Sequence, residues 1–421
     1  MPRTSIWTYR PTSAGRSRKW LPAAAAAVCF VVVCAVFFGI QYLRDSGEKI
    51  TESPETTQTA AEAETIAAPP AEAQGDETQG AKAPGVKVKG LYVTAWSAGM
   101  ADRLARYIEI CDTTEINTLV IDIKDDRGQI TFHNSIEGAA KASVNIIPDI
   151  EAKLSLLKEH GIYAIARLVC FKDPLWSRLH PGLAIKNTRG ASWKDGDGLT
   201  WLDPCNRASW DHIANLAAEA ARLGFDEIQL DYVRFPTNGN LKEIAAAGSE
   251  QSRAEIIGEF LQHMQAALAG TGARLSADIF GITAVRGGDF ENIGQGLEIV
   301  ARHADVVCPM VYPSHFANKR QNGVGQVIVD RLFEAPDTEP YDVVLLTLLL
   351  AANRLSGNSG NAVIRPYLQD FTAAYLGNDY YQTYTAAQVR EQIQAVYDAG
   401  LEEWILWNPS GVYSEDALEV K

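Results

Sequence analysis

Two acids carry the chemistry that can be read in this chain. Asp231 sits in the run Gly224-Phe-Asp-Glu-Ile-Gln-Leu-Asp-Tyr-Val-Arg-Phe-Pro236, and Asp278 in Ser276-Ala-Asp-Ile-Phe-Gly281. A carboxyl pair can cleave a glycosidic bond: one protonates the leaving oxygen while the other attacks the anomeric carbon or activates water. The environments that separate their pKa values decide which does which. Arg167, Arg234 and Arg365 are cations able to hold a neighbouring carboxylate ionised. Asp122 and Lys124 are suited to gripping sugar hydroxyls. The plainer alternative for Asp231 is a carboxylate paired with arginine and doing no chemistry.

These residues need a frame that brings them together. Glu227–Tyr232 alternates polar and apolar residues, as a β-strand does, with Glu227, Gln229 and Asp231 on one side and Ile228, Leu230 and Tyr232 on the other. A parallel strand between helices is normally apolar on both faces, so a polar face implies the interior and mouth of a barrel. Further strands are predicted at 88–94, 118–124, 163–169, 274–279, 305–311, 362–366 and 403–407. Helices are predicted at 102–111, 149–160, 209–223, 252–268, 293–302 and 386–399. The apolar stretch 341–353 begins after a proline and is too long for a strand, so it reads as a buried helix. The whole is an α/β chain forming a (β/α)8 TIM barrel. Near the C-terminal strand ends fall Asp122, Lys124, Arg167, Asp231, Asp278, Arg365 and Asn408. Trp96 follows the first strand, Tyr312 ends the sixth, and His315 lies just beyond it. Active sites of such barrels are built at that end. A structural ion-pair network plugging the barrel is the competing reading.

The loop after the third strand, 171–207, is long enough to suggest function. It carries Trp176, Trp193 and Trp201, with Trp210 just beyond. Flat indoles suit the apolar faces of sugar rings, which makes Trp201 a substrate-binding candidate; the alternative is a satellite core under the loop. Asp195-Gly-Asp197-Gly198 lacks the later Glu of a calcium loop and reads as a turn. The 7 histidines show no metal-ligand spacing, and neither a G-x-S-x-G elbow nor a phosphate-binding P-loop occurs. No metal and no cofactor is expected.

The 421 residues carry a formal net charge of -14, and 47% of them are hydrophobic. Nucleic acid is excluded as a partner, since phosphate contacts need clustered Lys and Arg. Residues 1–20 are basic and precede an apolar run over 21–43, long enough to span a bilayer. A cleaved signal peptide is disfavoured because Gln41-Tyr-Leu-Arg-Asp45 offers no small-residue cleavage site. The flanking charges place the N-terminus in the cytoplasm, with the chain anchored to the cell membrane by a single pass and the barrel extracytoplasmic. Residues 44–86 are too poor in aromatic and apolar side chains to fold and form a disordered linker. The barrel occupies 87–421. Cys170 and Cys205 bracket the long loop and either pair or remain free thiols.

The motifs, taken in order, resemble a bacterial family of glycoside hydrolase domains, distantly similar to the amylase-like barrels. The matching pieces are Lys89-Gly-Leu-Tyr-Val-Thr-Ala-Trp96, Leu119-Val-Ile-Asp-Ile-Lys-Asp125, Phe171-Lys-Asp-Pro174, Trp201-Leu-Asp-Pro204, the runs holding Asp231 and Asp278, Pro309-Met-Val-Tyr-Pro-Ser-His315, Arg365-Pro-Tyr-Leu-Gln-Asp-Phe371 and Trp404-Ile-Leu-Trp-Asn-Pro409. The resemblance implies the barrel and a carbohydrate-active role. It puts the nucleophile at Asp231 and offers Asp278 where the amylase pattern wants Glu; Asp122 and Asp370 are the other candidates for the acid. Two readings stay open from sequence: a hydrolase of a cell-envelope or extracellular polysaccharide, and a non-catalytic barrel that binds glycan or cell wall.

Overall fold

Strands and helices alternate as the periodicity predicts, and the sheet closes on itself. The strands are β1 Lys89–Val93, β2 Thr118–Lys124, β3 Tyr163–Val169, β4 Glu227–Asp231, β5 Arg274–Phe280 and β6 Val306–Met310, then β9 Val363–Ile364, β10 Tyr367–Gln369 and β11 Trp404–Trp407. All pair in parallel; β1 joins β2 to β11, and β10 joins β11 to β6. The computed structural model describes residues 85–134, 136, 138–246, 250–357 and 362–421. The segment 1–20, the anchor expected over 21–43, and the linker except for its last two residues lie outside them. Among the described residues, no helix is long and apolar enough to cross a membrane.

The seventh barrel strand differs from expectation. It does not end at Pro366 but resumes as β10, in unbroken register: Val363 pairs with Val306 and Tyr367 with Met310. Proline has no N–H to donate, so it interrupts the ladder without ending the strand. After β6 and the short helix Lys319–Asn322 the chain also makes an antiparallel hairpin, β7 Gln326–Ile328 and β8 Arg331–Phe333, which the sequence does not announce. The apolar stretch after it is settled as a helix, Pro340–Leu355.

Helices pack their apolar faces on the outside of the barrel, where they share one large core with the strands. Local signals fix their ends. Ser252 and Glu255 form a reciprocal capping box at the start of Arg253–Leu268, and Gly224 stops Arg207–Leu223 at φ 111. A second, smaller cluster including Val120, Ile165, Cys308, Tyr367 and Ile405 fills the barrel's centre.

The polar face of β4 does line that interior, at three heights. At the bottom, Glu227 meets Arg365 at 2.6 Å. At mid-height, the Tyr367 hydroxyl donates to Gln229 Oε1 at 2.6 Å, and Gln229 Nε2 donates to Cys308 Sγ at 3.3 Å. At the top, Asp231 meets Arg167. Tyr232 departs from the alternation. It adopts φ 52, a left-handed conformation that is costly for a residue with a Cβ, and this turns the chain out of the strand.

Candidate active site

Leu230 pairs with Ala277 across β4 and β5, so Asp231 and Asp278 are the next residues along two neighbouring strands. Both line a cavity of ≈ 1230 Å³ formed by the loops that follow the strands. The end of β5 must lie close to β6 here. A Cβ on Gly281 would stand 2.5 Å from the Met310 carbonyl oxygen, so only glycine fits.

The two acids have opposite surroundings. Arg167, on β3, donates from Nε to Asp231 Oδ2 at 3.1 Å and from Nη2 to the same oxygen. Its Nη1 donates to Asp122 Oδ1 at 2.6 Å, and the Tyr92 hydroxyl donates to Asp122 Oδ2. Burial disfavours the Arg167 charge, but Asp122 and Asp231 outweigh it and hold the guanidinium protonated. The Tyr232 N–H donates to Asp231 Oδ1 at 2.6 Å, so the left-handed turn also fixes the rotamer of the acid before it. Asp278 has no such cation in contact. It is 1% exposed, and among the described residues its Oδ1 has no hydrogen-bond partner. Burial first, then the charge of Asp231, lifts its carboxyl well above the usual range, and Arg167 offsets this only in part. Asp278 is therefore the group that keeps a proton.

The expected site residues divide into three sets. Arg167, Asp231, Arg234, Asp278, Tyr312 and His315 line the cavity. Asp122 lies behind Arg167 and positions it. The remaining six are not brought to the cavity. Lys124 would share the inward face of Asp122, but a bulge in β2 between the two reverses it. It is fully buried, 2.9 Å from Asp173, and donates to the Val169 carbonyl at 2.6 Å. Arg365 is at the bottom of the barrel between Glu227 and Glu403, because its strand continues past Pro366. Trp96 projects into solvent from the short helix Ala95–Gly99, outside the cavity lining. Trp201 is buried, donates from Nε1 to Asp195 Oδ2 at 2.9 Å, and meets Tyr232 edge-on. Asp370 accepts from the Ser414 backbone N–H and hydroxyl, both at 2.8 Å. Asn408 donates to the Asp370 carbonyl. These last two tie loops together.

Trp176, Trp193 and Trp210 are buried as well, and with Trp201 they join the large core shared by strands and helices, so the loop packs onto that core instead of forming a separate one. Asp195 Oδ1 accepts from the N–H groups of Asp197 and Leu199, which makes that segment a turn. Cys170 and Cys205 are free thiols. No group of three or more His, Cys, Asp or Glu side chains among the described residues could hold a metal.

Several cavity residues were not singled out from sequence. Lys172, paired with Asp126 at 2.9 Å, and Tyr232 lie inside quoted motifs, which was the available signal. Tyr367, Phe371 and Trp407 also line it. They too lie inside quoted motifs, 365–371 and 404–409.

A closed (β/α)8 barrel with a carboxyl pair at the C-terminal strand ends is a glycoside hydrolase architecture. Residues 90–413 match the family model described as "Putative glycosyl hydrolase domain", and the chain belongs to that family. Among solved structures it is similar to a hypothetical protein from Ruminiclostridium thermocellum ATCC 27405, at 40% identity and TM-score 0.42, over 45% of this chain and 96% of that one. It is also similar to the PgaB (BpsB) glycoside hydrolase domain from Bordetella bronchiseptica, at 12% identity and TM-score 0.54, over 79% and 99%. A third is the β-galactosidase from the psychrophilic Marinomonas ef1, at 11% identity and TM-score 0.52, over 78% and 57%. At such identities the last two report the fold. No curated protein matches the chain.

Proposed function

We propose that this domain hydrolyses a glycosidic bond in a cell-envelope or extracellular polysaccharide, with Asp278 as proton donor and Asp231 as the opposing carboxylate. One observation carries the reading: two acids on adjacent strand ends, facing one open cavity, with one ion-paired and the other buried and unpaired. Asp278 passes its proton to the leaving glycosidic oxygen as the bond to the anomeric carbon breaks. Asp231 meets the positive charge developing on that carbon. If Asp231 bonds to the carbon, Asp278, now a carboxylate, takes a proton from the water whose oxygen then displaces Asp231; if Asp231 instead takes the proton of a water attacking the carbon, no covalent intermediate forms. Whether the product retains or inverts its configuration reports whether Asp231 attacks the carbon itself or activates a water. The expected anchor over 21–43 would tether the barrel outside the membrane and the linker would let it reach; protease accessibility on intact cells tests that placement.

The assay is release of reducing ends from a glycan panel. Asp231→Asn should abolish it while circular dichroism and melting stay near wild type; an unchanged rate removes Asp231 from the mechanism. A second reading, a glycan-binding barrel without turnover, draws on the engagement of both Asp231 oxygens by Arg167 and the Tyr232 N–H. Binding of a glycan with no reducing ends released by the wild-type chain decides for it.

A further inference from the structure

The cavity is divided, and the two acids stand on the border. On the side of the β2, β3 and β4 loops its charged lining is Asp126, Arg127, Lys172, Arg178, Asp197 and Arg234, four cations against two carboxylates. On the side of the β5 to β11 loops, Asp278 is the only acid among the described lining residues, and no Lys or Arg is among them. That side is aromatic: Phe371 and Trp407 centroids are 5.3 Å apart, and Tyr312 lies 5.7 Å from Trp407 and 6.2 Å from Phe371.

The cations of the first half are held in different ways. Lys172 is paired with Asp126. The Arg234 guanidinium stacks over the rings of Trp201, Tyr232 and Phe280 at 4.8–5.2 Å, which fixes its position. Arg127 and Arg178 are exposed, and among the described residues neither forms an ion pair. Surface arginines in a chain of net charge -14 have many acids available. Two left unpaired beside a catalytic cavity create a local excess of positive charge, which concentrates anions there. Planar guanidinium groups match a carboxylate in two-point hydrogen bonding.

We infer that the substrate is an acidic glycan: a sugar bearing a carboxylate occupies the β2–β4 half, its charge met by Arg127 and Arg178, and an uncharged sugar lies against the aromatic half. The inference rests on the hydrolase reading only for the position of the bond between the two sugars; the charge preference itself concerns binding. The scissile bond then falls on the reducing or non-reducing side of the acidic sugar, over Asp231 and Asp278.

Binding by the full-length chain tests this, with Asp278→Asn used to prevent turnover. The acidic probes are hexasaccharides of hyaluronan, polygalacturonate and polymannuronate; the controls are chitohexaose, cellohexaose and the glucosamine hexamer. At least one acidic probe should bind about tenfold more tightly than every control and weaken as salt rises. Adding Arg127→Gln and Arg178→Gln together should cost that probe about tenfold. The same pair should leave the neutral controls within about twofold, and Arg178→Lys should restore part of the loss. If no acidic probe is preferred, or if the double variant weakens acidic and neutral probes alike, the inference is overturned. The hydrolase reading fails separately. Acid-selective binding without turnover by the wild-type chain removes the hydrolase and keeps the charge preference; turnover of a neutral glycan without that preference does the reverse.

Discussion

At the N-terminal end of the barrel Arg365 stands between Glu227 and Glu403, at 2.6 and 2.8 Å; at the C-terminal end Arg167 stands between Asp231 and Asp122. Both arginines are kept protonated against burial by two carboxylates. The surroundings differ. The Arg365 side chain has no exposed surface, whereas that of Arg167 is 17% exposed and borders the cavity. The upper cluster also has a third acid beside it, Asp278, with no cation of its own in contact. An arginine between two acids is thus a structural device where water is excluded. It becomes a chemical one where an extra acid is added within reach of a substrate.

The same substitution at both ends separates these roles. Arg365→Met leaves Glu227 and Glu403 buried without their cation, and breaking a buried pair in this way costs about 3–5 kcal/mol. Urea denaturation should show that loss, while the activity per folded molecule stays near wild type. Arg167→Met should cost less stability, because the cavity lets water reach Asp122 and Asp231. Hydrolysis should instead fall by about 100-fold or more, as expected when a group that orients the proposed catalytic carboxylate is lost. Equal stability losses at the two ends, with activity kept in both, would erase the contrast.

Asp278 sharpens the comparison through pH. Its folded pKa is raised above its unfolded value, so its contribution to stability is fully present below the unfolded value and is lost as pH rises through the folded one. Asp278→Asn removes that loss. Relative to wild type, the variant should gain stability with increasing pH across this window and have no hydrolysis at any pH. The wild-type kcat/KM should fall on the alkaline side as the acid loses its proton. A melting difference that does not change with pH would show that Asp278 is an ordinary carboxylate.

The sequence made the barrel legible because each strand carries its own period-2 signal or apolar run, bounded by helix caps. The acids on β4 and β5 were legible for the same reason: alternation says which side chains point inward. What alternation does not give is height along the barrel axis. Arg365 seemed to end a strand because Pro366 interrupts the ladder, yet the strand goes on for three residues and leaves Arg365 at the bottom. A bulge likewise reverses Lys124, and no residue type marks it. Indoles are equally suited to a sugar face and to a core, so composition could not distinguish Trp201 under the loop from one in the cavity. Tyr92, which orients Asp122 and through it Arg167, reads in sequence as an ordinary strand residue.

Tyr92 also gives the finest test of the two ends. Its hydroxyl donates to Asp122, and its ring faces the Arg167 guanidinium at 5.7 Å. Tyr92→Phe keeps the ring and removes only the donor, a net loss of about 1 kcal/mol. With Asp122 held by Arg167 alone, the guanidinium gains freedom to shift, and kcat should drop a few-fold with KM little changed. At the opposite end, the Tyr163 hydroxyl donates to Glu227 Oε2 at 3.3 Å. Tyr163→Phe removes a comparable donor from the other arginine cluster, so it should cost similar stability and leave kcat as it was. If both variants slow the enzyme alike, kcat is following general stability. A loss confined to Tyr92→Phe traces the effect from Tyr92 through Asp122 and Arg167 to Asp231.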